Sequence, residues 1–193
     1  GEMALKYCQN NPKTGEKDDD QGPVTIADLE INKMLEARLQ AARPEYGWLS
    51  EESEDCTSRL ACERVFIVDP IDGTRSFIQG HETFAHSFAV AEKGVITSAV
   101  VHMPAKDMTF TATIGGGAKL NSEFIAPSSV TALEGAEVLV AKSMMDAKFW
   151  PAGVPPITQN FRSSLAYRLS LVASGQFDAM LTFRPAWEWD VAA

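Results

Sequence analysis

The sequence predicts an α+β or layered α/β protein built on a sheet of mixed strand direction, and three observations carry that expectation. A capped helical pattern begins at Thr25, three strand-like runs joined by short turns follow between residues 83 and 114, and a helix then a strand return after Ser163. No GxGxxG follows a strand, which sets a dinucleotide-binding Rossmann domain aside. A chain of 193 residues supports one sizeable core or two closely packed lobes.

The opening "GEMALKYCQN" reads as an amphipathic helix entered midway and lacks the pattern of a secretory signal. "NNPKTGEKDDDQGP" is dense in turn residues and charge and reads as a solvated loop; an EF-hand counted from Asp18 would need glycine where Pro23 stands. After it, Thr25 and Asp28 mark a helix N-terminus, with Ile31, Met34, Leu35 and Leu39 on one face until Pro44 and Gly47 stop the pattern. "VFIV" is a short apolar run, hence a strand covered on both faces. "TFAHSFAVAE", "VITSAVVHM" and "MTFTATI", separated by "KG" and "PAKD", make an antiparallel meander, which the turn "GGGAKLN" closes. "SSLAYRLSLVASGQFD" carries a serine cap, apolar Leu165, Leu169 and Val172, and Gly175 at its end, and "DAMLTF" is a further strand.

A formal charge of −9, uninterrupted by any lysine and arginine cluster, excludes a nucleic-acid polymer as partner. Cys8, Cys56 and Cys62 fit neither a disulfide framework nor a zinc site and indicate a reducing, cytoplasmic setting. No apolar run approaches the roughly 20 residues needed to cross a bilayer, so no membrane partner is expected.

The chemistry gathers at "RVFIVDPIDGTRSF". Asp69 and Asp72 follow a buried strand, on a turn stiffened by Pro70 and rooted in the core, which suits cation coordination. Glu51 and Glu52 in "GWLSEESED", and Asp190 in "WEWDVAA", offer further oxygens. Oxygen ligands without histidine or cysteine at useful spacing favour Mg²⁺ or Mn²⁺ over Zn²⁺. Each outlying acid also has a plainer reading. Asp28 can complete a capping box with Thr25, Glu51 and Glu52 can be surface charges, and Asp190 can cap a helix at "VAA". A turn does not explain two acids after a buried strand. His86 reads as a hydrogen-bonded sheet residue and Trp187 and Trp189 as packing residues.

"SEES", "DPIDGTRSF" and "WEWDVAA", in this order and with "PVTIAD" upstream, resemble the signature segments of the inositol monophosphatase superfamily, Mg²⁺-dependent and lithium-sensitive phosphomonoesterases. The resemblance runs from about Glu2 to the last residue. It implies a layered αβαβα sandwich, with an N-terminal α+β lobe over residues 1–125 and, over 126–193, the beginning of a C-terminal α/β lobe whose later part is missing. Glu51, Asp69 and the Ile71 carbonyl are implied ligands of one ion, Asp69, Asp72 and Asp190 of a second, and Glu51 of a third, weaker one, with Glu52 accessory. Mg²⁺ is the implied cofactor, in two or three ions, with Mn²⁺ able to substitute. Thr74, paired with Asp28, would orient or deprotonate the attacking water, with Asp72 and the Gly73 and Thr74 N–H groups at the phosphate. Substrate contacts would come from Arg184, Glu188, Ser163 and Ser164.

The family implies a homodimer acting on a small phosphate monoester, with inositol 1-phosphate first. An arginine before "EWD" also resembles the branch that removes the 3′-phosphate of adenosine 3′,5′-bisphosphate. A third reading is a metal- or phosphate-binding regulatory protein without turnover, against which Thr74 and Asp28 beside the metal acids speak.

Overall fold

The computed structural model describes residues 1–9, 14–16 and 23–193. Most of the turn-rich segment, including Asp18 and the EF-hand count, lies outside them. Its described part, Thr14–Glu16 (β1), pairs antiparallel with Pro23–Thr25 (β2). Seven strands form the main sheet in sequential order: Gly47–Ser50 (β3), Arg64–Asp72 (β4), Ala85–Glu92 (β5), Val95–Met103 (β6), Met108–Thr113 (β7), Gly117–Leu120 (β8) and Glu123–Phe124 (β9). β3 and β4 are parallel and the rest antiparallel, so the meander stands as the alternation implied. "GGGAKLN" is less of a turn than its glycines suggest, because Gly117 already opens β8.

A second sheet orders Thr158–Asn160 (β11), Glu137–Val140 (β10) and Ala179–Leu181 (β12), all parallel. Helices Glu2–Gln9 (α1) and Ile26–Ala42 (α2) cover one face of the main sheet, burying Ala4, Ala27 and Ile31 with Ile71, Phe77 and Phe84. Leu35 and Leu39 continue that layer over Trp48, Phe66 and Val68. Leu165–Ala173 (α4) lies between the two sheets, joining Ala85, Val101, Met103 and Phe110 to Leu139 of the second. The second sheet's far face, Val138 and Val140, meets Met144 of a 3₁₀ turn. The fold is thus an α+β sandwich.

α4 begins at Ser164 and ends as expected: Gly175, at φ 71°, supplies the left-handed residue of a Schellman closure, with its N–H on Val172 and that of Gln176 on Leu171. Its buried face differs from the expected one. Ala166, Tyr167, Ser170 and Leu171 are buried while Leu165, Leu169 and Val172 are half-buried, because a helix between two sheets is not limited to one apolar stripe.

His86, in β5, is buried, and its Nδ1–H donates to the Pro70 carbonyl; burial pushes its pKa down to about 4. The unfolded chain therefore binds a proton between about pH 6.5 and 4 that the fold refuses, so this group withdraws stability as pH falls through that window. The full effect is about 3 kcal/mol. His86→Asn keeps a donor for Pro70 without titrating, so the stability difference between wild type and variant, measured by urea unfolding, is expected to move against wild type from about pH 6.5 to 4. A constant difference would show that His86 is not held neutral.

Candidate metal and phosphate site

Along a regular strand, residues three apart face opposite sides, so Asp69 and Asp72 ought to diverge. They do not. Val65 and Ile67 face Trp189, on the helix Glu188–Val191 (α5), and Ala192 just after it, and Asp69 continues that side. Phe66 and Val68 face α2, and Ile71 packs on this α1–α2 side too, which means that the alternation slips between Asp69 and Ile71. The slip is the register shift between Asp69 and Asp72 in the pairing with β5, at Pro70, which has no N–H to give the ladder. It returns Asp72 to the side of Asp69.

Asp72 then meets the start of α4. Its Oδ2 accepts from the Ser164 hydroxyl at 2.6 Å and the Ala166 N–H at 2.7 Å, while the same Ser164 oxygen caps the helix through the Tyr167 N–H at 3.1 Å. Ser164 is held at φ 69°, a conformation disfavoured for a residue with a Cβ and tolerated where surrounding contacts fix it. Gly73, at φ 93°, follows Asp72; a Cβ there would come within 3.2 Å of the Thr83 carbonyl and 3.4 Å of Ser164. Only glycine lets the strand end approach α4 this closely.

Thr74 opens the short helix Thr74–Ile78 (α3), with its hydroxyl 3.1 Å from the Ile71 carbonyl and 3.4 Å from Asp28 Oδ1. Asp28 meets both readings made from the sequence. Its Oδ2 accepts the Thr25 N–H at 2.8 Å in a complete capping box, and its other oxygen faces Thr74. Asp190 behaves similarly, accepting the Trp187 N–H at 2.8 Å inside α5 rather than capping a later helix. α5 is anchored where the Ser87 hydroxyl donates to the Trp189 carbonyl at 2.9 Å, and Trp187 and Trp189 stack with centroids 5.3 Å apart.

One carboxylate oxygen from each of Asp69, Asp72 and Asp190 lies within 4.8 Å of the others. Glu51, just past β3, places its N–H 3.2 Å from the Val68 carbonyl, and its carboxylate lies near enough to Asp69 to act on its charge. Burial, then the charges of Glu51 and Asp72, hold the Asp69 carboxyl well above the usual carboxylate range. Burial raises Asp72 to about 6 against the opposing hydrogen bonds from Ser164 and Ala166, and raises Asp28 as well. Asp69 Oδ1 is buried with no hydrogen-bond partner among the described residues. An all-oxygen donor set with an orphaned buried carboxylate oxygen and mutual repulsion fits a hard divalent cation. Glu52 follows Glu51, with its carbonyl accepting from Asn32 at 3.2 Å, and is outside the converging aspartate trio.

Glu51, Asp72 and Asp190 line a cleft of about 550 Å³ together with Thr74, Arg75, Arg168, Arg184, Ser163 and Ser164. Glu188, paired with Arg184 as a substrate candidate from sequence, lines a different cavity beside Arg59. Arg168 went unnoticed in the sequence, although it stands four residues after the Ser164 cap and so on the same helix face.

The sequence model of the inositol monophosphatase family matches residues 1–193. The chain is 34% identical over 180 residues to an inositol-1-monophosphatase of Rhizobium meliloti, covering 88% of this chain and 64% of that relative's length. It is 31% identical to a fructose-1,6-bisphosphatase/inositol-1-monophosphatase of Thermotoga maritima, covering 94% of this chain and 68% of the relative. The crystal structure of extragenic suppressor protein suhB from Bartonella henselae superimposes with a TM-score of 0.84 at 29% identity, over 100% of this chain and 76% of that one. With a family match along its whole length and the acids of its motifs gathered at one cleft, the chain belongs to the inositol monophosphatase family.

Proposed function

We propose that the protein is a Mg²⁺-dependent phosphomonoester hydrolase, and that inositol 1-phosphate is the first substrate to test. The observation that carries this reading is the convergence of Asp69, Asp72 and Asp190, the last two of which line one cleft with Glu51 and Thr74. Asp69, Asp72 and Asp190 would hold one ion; Glu51, Asp69 and the Ile71 carbonyl would hold another, with Glu52 accessory. When bound, such ions neutralise phosphate charge and lower the pKa of water.

The chain's own residues supply the positioning. Asp28, fixed by the Thr25 cap, accepts from the Thr74 hydroxyl, leaving the Thr74 oxygen's lone pairs for an incoming water O–H. Gly73 and Thr74 direct first-turn N–H groups of α3, which have no partner within the helix, towards the phosphate. Ser164 holds Asp72 and so acts on the substrate through it. The two lobes, 1–125 and 126–193, would work as one unit, because Asp190 belongs to the second and its cage to the first. A homodimer and a cytoplasmic location complete the reading.

Arg184 in the cleft favours a second substrate reading, adenosine 3′,5′-bisphosphate. Phosphate release from the two esters under saturating Mg²⁺ separates these readings, with lithium expected to inhibit either reaction. Metal binding without release from any small monoester would leave the regulatory reading.

A further inference from the structure

We propose that Cys56 and Cys62 form a redox-modification site, which a hydroperoxide converts to a disulfide that opens the turn between them and loosens the acid cage. The thiol chemistry stands apart from the phosphatase reading, while the effect on the cage rests on the metal reading. The connection from β3 to β4 contains the 3₁₀ turn Thr57–Ala61, with Cys56 before it and Cys62 after it. Three residues per turn put Cys56, Arg59 and Cys62 on one face. Both thiols reach Ser58: the Cys56 sulfur lies 3.0 Å from its hydroxyl oxygen, and the Cys62 sulfur lies 3.8 Å from its carbonyl oxygen. They also line one cavity of about 350 Å³. Cys56 is exposed, and hydrogen bonds from the Ser58 hydroxyl and N–H pull its pKa down, which enriches the nucleophilic thiolate. Cys8 is the contrast, because burial pushes its thiol up.

In the first step the Cys56 thiolate attacks one peroxide oxygen, and the O–O bond breaks to leave a sulfenic acid and hydroxide. The Cys62 thiol then attacks the sulfenic sulfur; the S–S bond forms, the S–O bond breaks, and the departing hydroxyl takes the thiol proton away as water. The two thiols lose two electrons and the peroxide gains them. The bridge cannot form on the turn as it stands. Six residues of 3₁₀ rise set the two Cα atoms roughly 12 Å apart, and a disulfide spans at most about 7 Å. The turn, held by the Arg59 N–H on the Cys56 carbonyl and the Cys62 N–H on the Arg59 carbonyl, both at 3.1 Å, must open. Arg59 is its centre. A Cβ at Gly47 would come within 2.9 Å of the Arg59 Cβ, so Arg59 seats the turn on the start of β3, whose far end leads to Glu51. Arg59 also lies beside Glu188 of α5, the helix that carries Asp190. Opening the turn therefore slackens two elements that deliver acids to the cage.

The test treats the reduced full chain with hydrogen peroxide and reads mass and melting. Wild type and Cys8→Ser are expected to lose about two hydrogens in mass, with Cys56 and Cys62 joined in the peptide map and the loss reversed by dithiothreitol. Cys62→Ser, which cannot close the bridge, is expected to keep a sulfenic acid that dimedone traps on Cys56, and Cys56→Ser is expected to give neither product. On oxidation of wild type the Mg²⁺-induced rise in Tm is expected to fall by about half or more, and in peroxide-treated Cys62→Ser to stay as in the untreated variant. No intramolecular disulfide, a dimedone label on Cys8 in place of Cys56, or a bridged protein whose Mg²⁺ response equals that of the reduced form would overturn the proposal. Absence of any Mg²⁺ response in the reduced protein would overturn the metal reading, and with it the link to the cage, while the mass measurements alone decide the thiol site.

Discussion

Asp72→Asn is expected to lower phosphate release by about 10²–10³-fold or more, the scale of losing one preorganised electrostatic group. The fold should survive the change. Asparagine keeps an oxygen for the Ser164 hydroxyl and the Ala166 N–H, and it removes a buried charge whose pKa is raised to about 6. Near pH 7.5 that raised pKa withdraws about 3 kcal/mol of stability from the metal-free wild type, offsetting the weaker hydrogen bonds of a neutral acceptor. The metal-free variant should therefore melt no lower than wild type in a calorimetric scan. Retained turnover, or unfolding many degrees below wild type, would contradict the role given to Asp72.

Magnesium is expected to stabilise the protein strongly near pH 7.5 and little near pH 5. Carboxylates whose folded pKa lies above the unfolded value give their stabilisation fully below the unfolded value and lose it as pH rises through the folded one. Asp28, Asp69 and Asp72 all shift upwards, Asp72 to about 6, so the metal-free cage is most strained above that pH. There a divalent ion replaces protons that the cage can no longer keep. At a concentration about 100-fold over its dissociation constant an ion adds about 2.7 kcal/mol. For a chain of this size that is a rise in Tm of about 5–10 °C. A shift equal at both pH values would mean that the ions do not bind at these acids.

Periodicity and capping made the local structure legible. Thr25 and Asp28 announced α2, the alternating runs announced β5 to β7, and Gly175 announced the end of α4. β3 and β8 escaped because "GWLS" is short and "GAKL" begins with a glycine that reads as turn. In the site, the acids were visible by type, but their convergence was not a matter of spacing. The sequence placed Asp69 and Asp72 together on a turn after the strand, whereas β4 runs on to Asp72; a regular period of two would have separated them, and the slip at Pro70 reunites them. Arg168 escaped because nothing in a helical arginine reports which cleft its helix will line. Asp28 and Asp190 show that a plain cap and a place in the site are compatible, since a carboxylate has two oxygens and the cap uses one.

The most direct test of the cage is anomalous diffraction from crystals grown with Mn²⁺. The account predicts a strong peak bonded by carboxylate oxygens of Asp69, Asp72 and Asp190 together, at the roughly 2.0–2.2 Å of small hard cations. Crystals in which those three carboxylates stay packed against one another with no peak between them, or whose only peaks lie elsewhere on the surface, would contradict it.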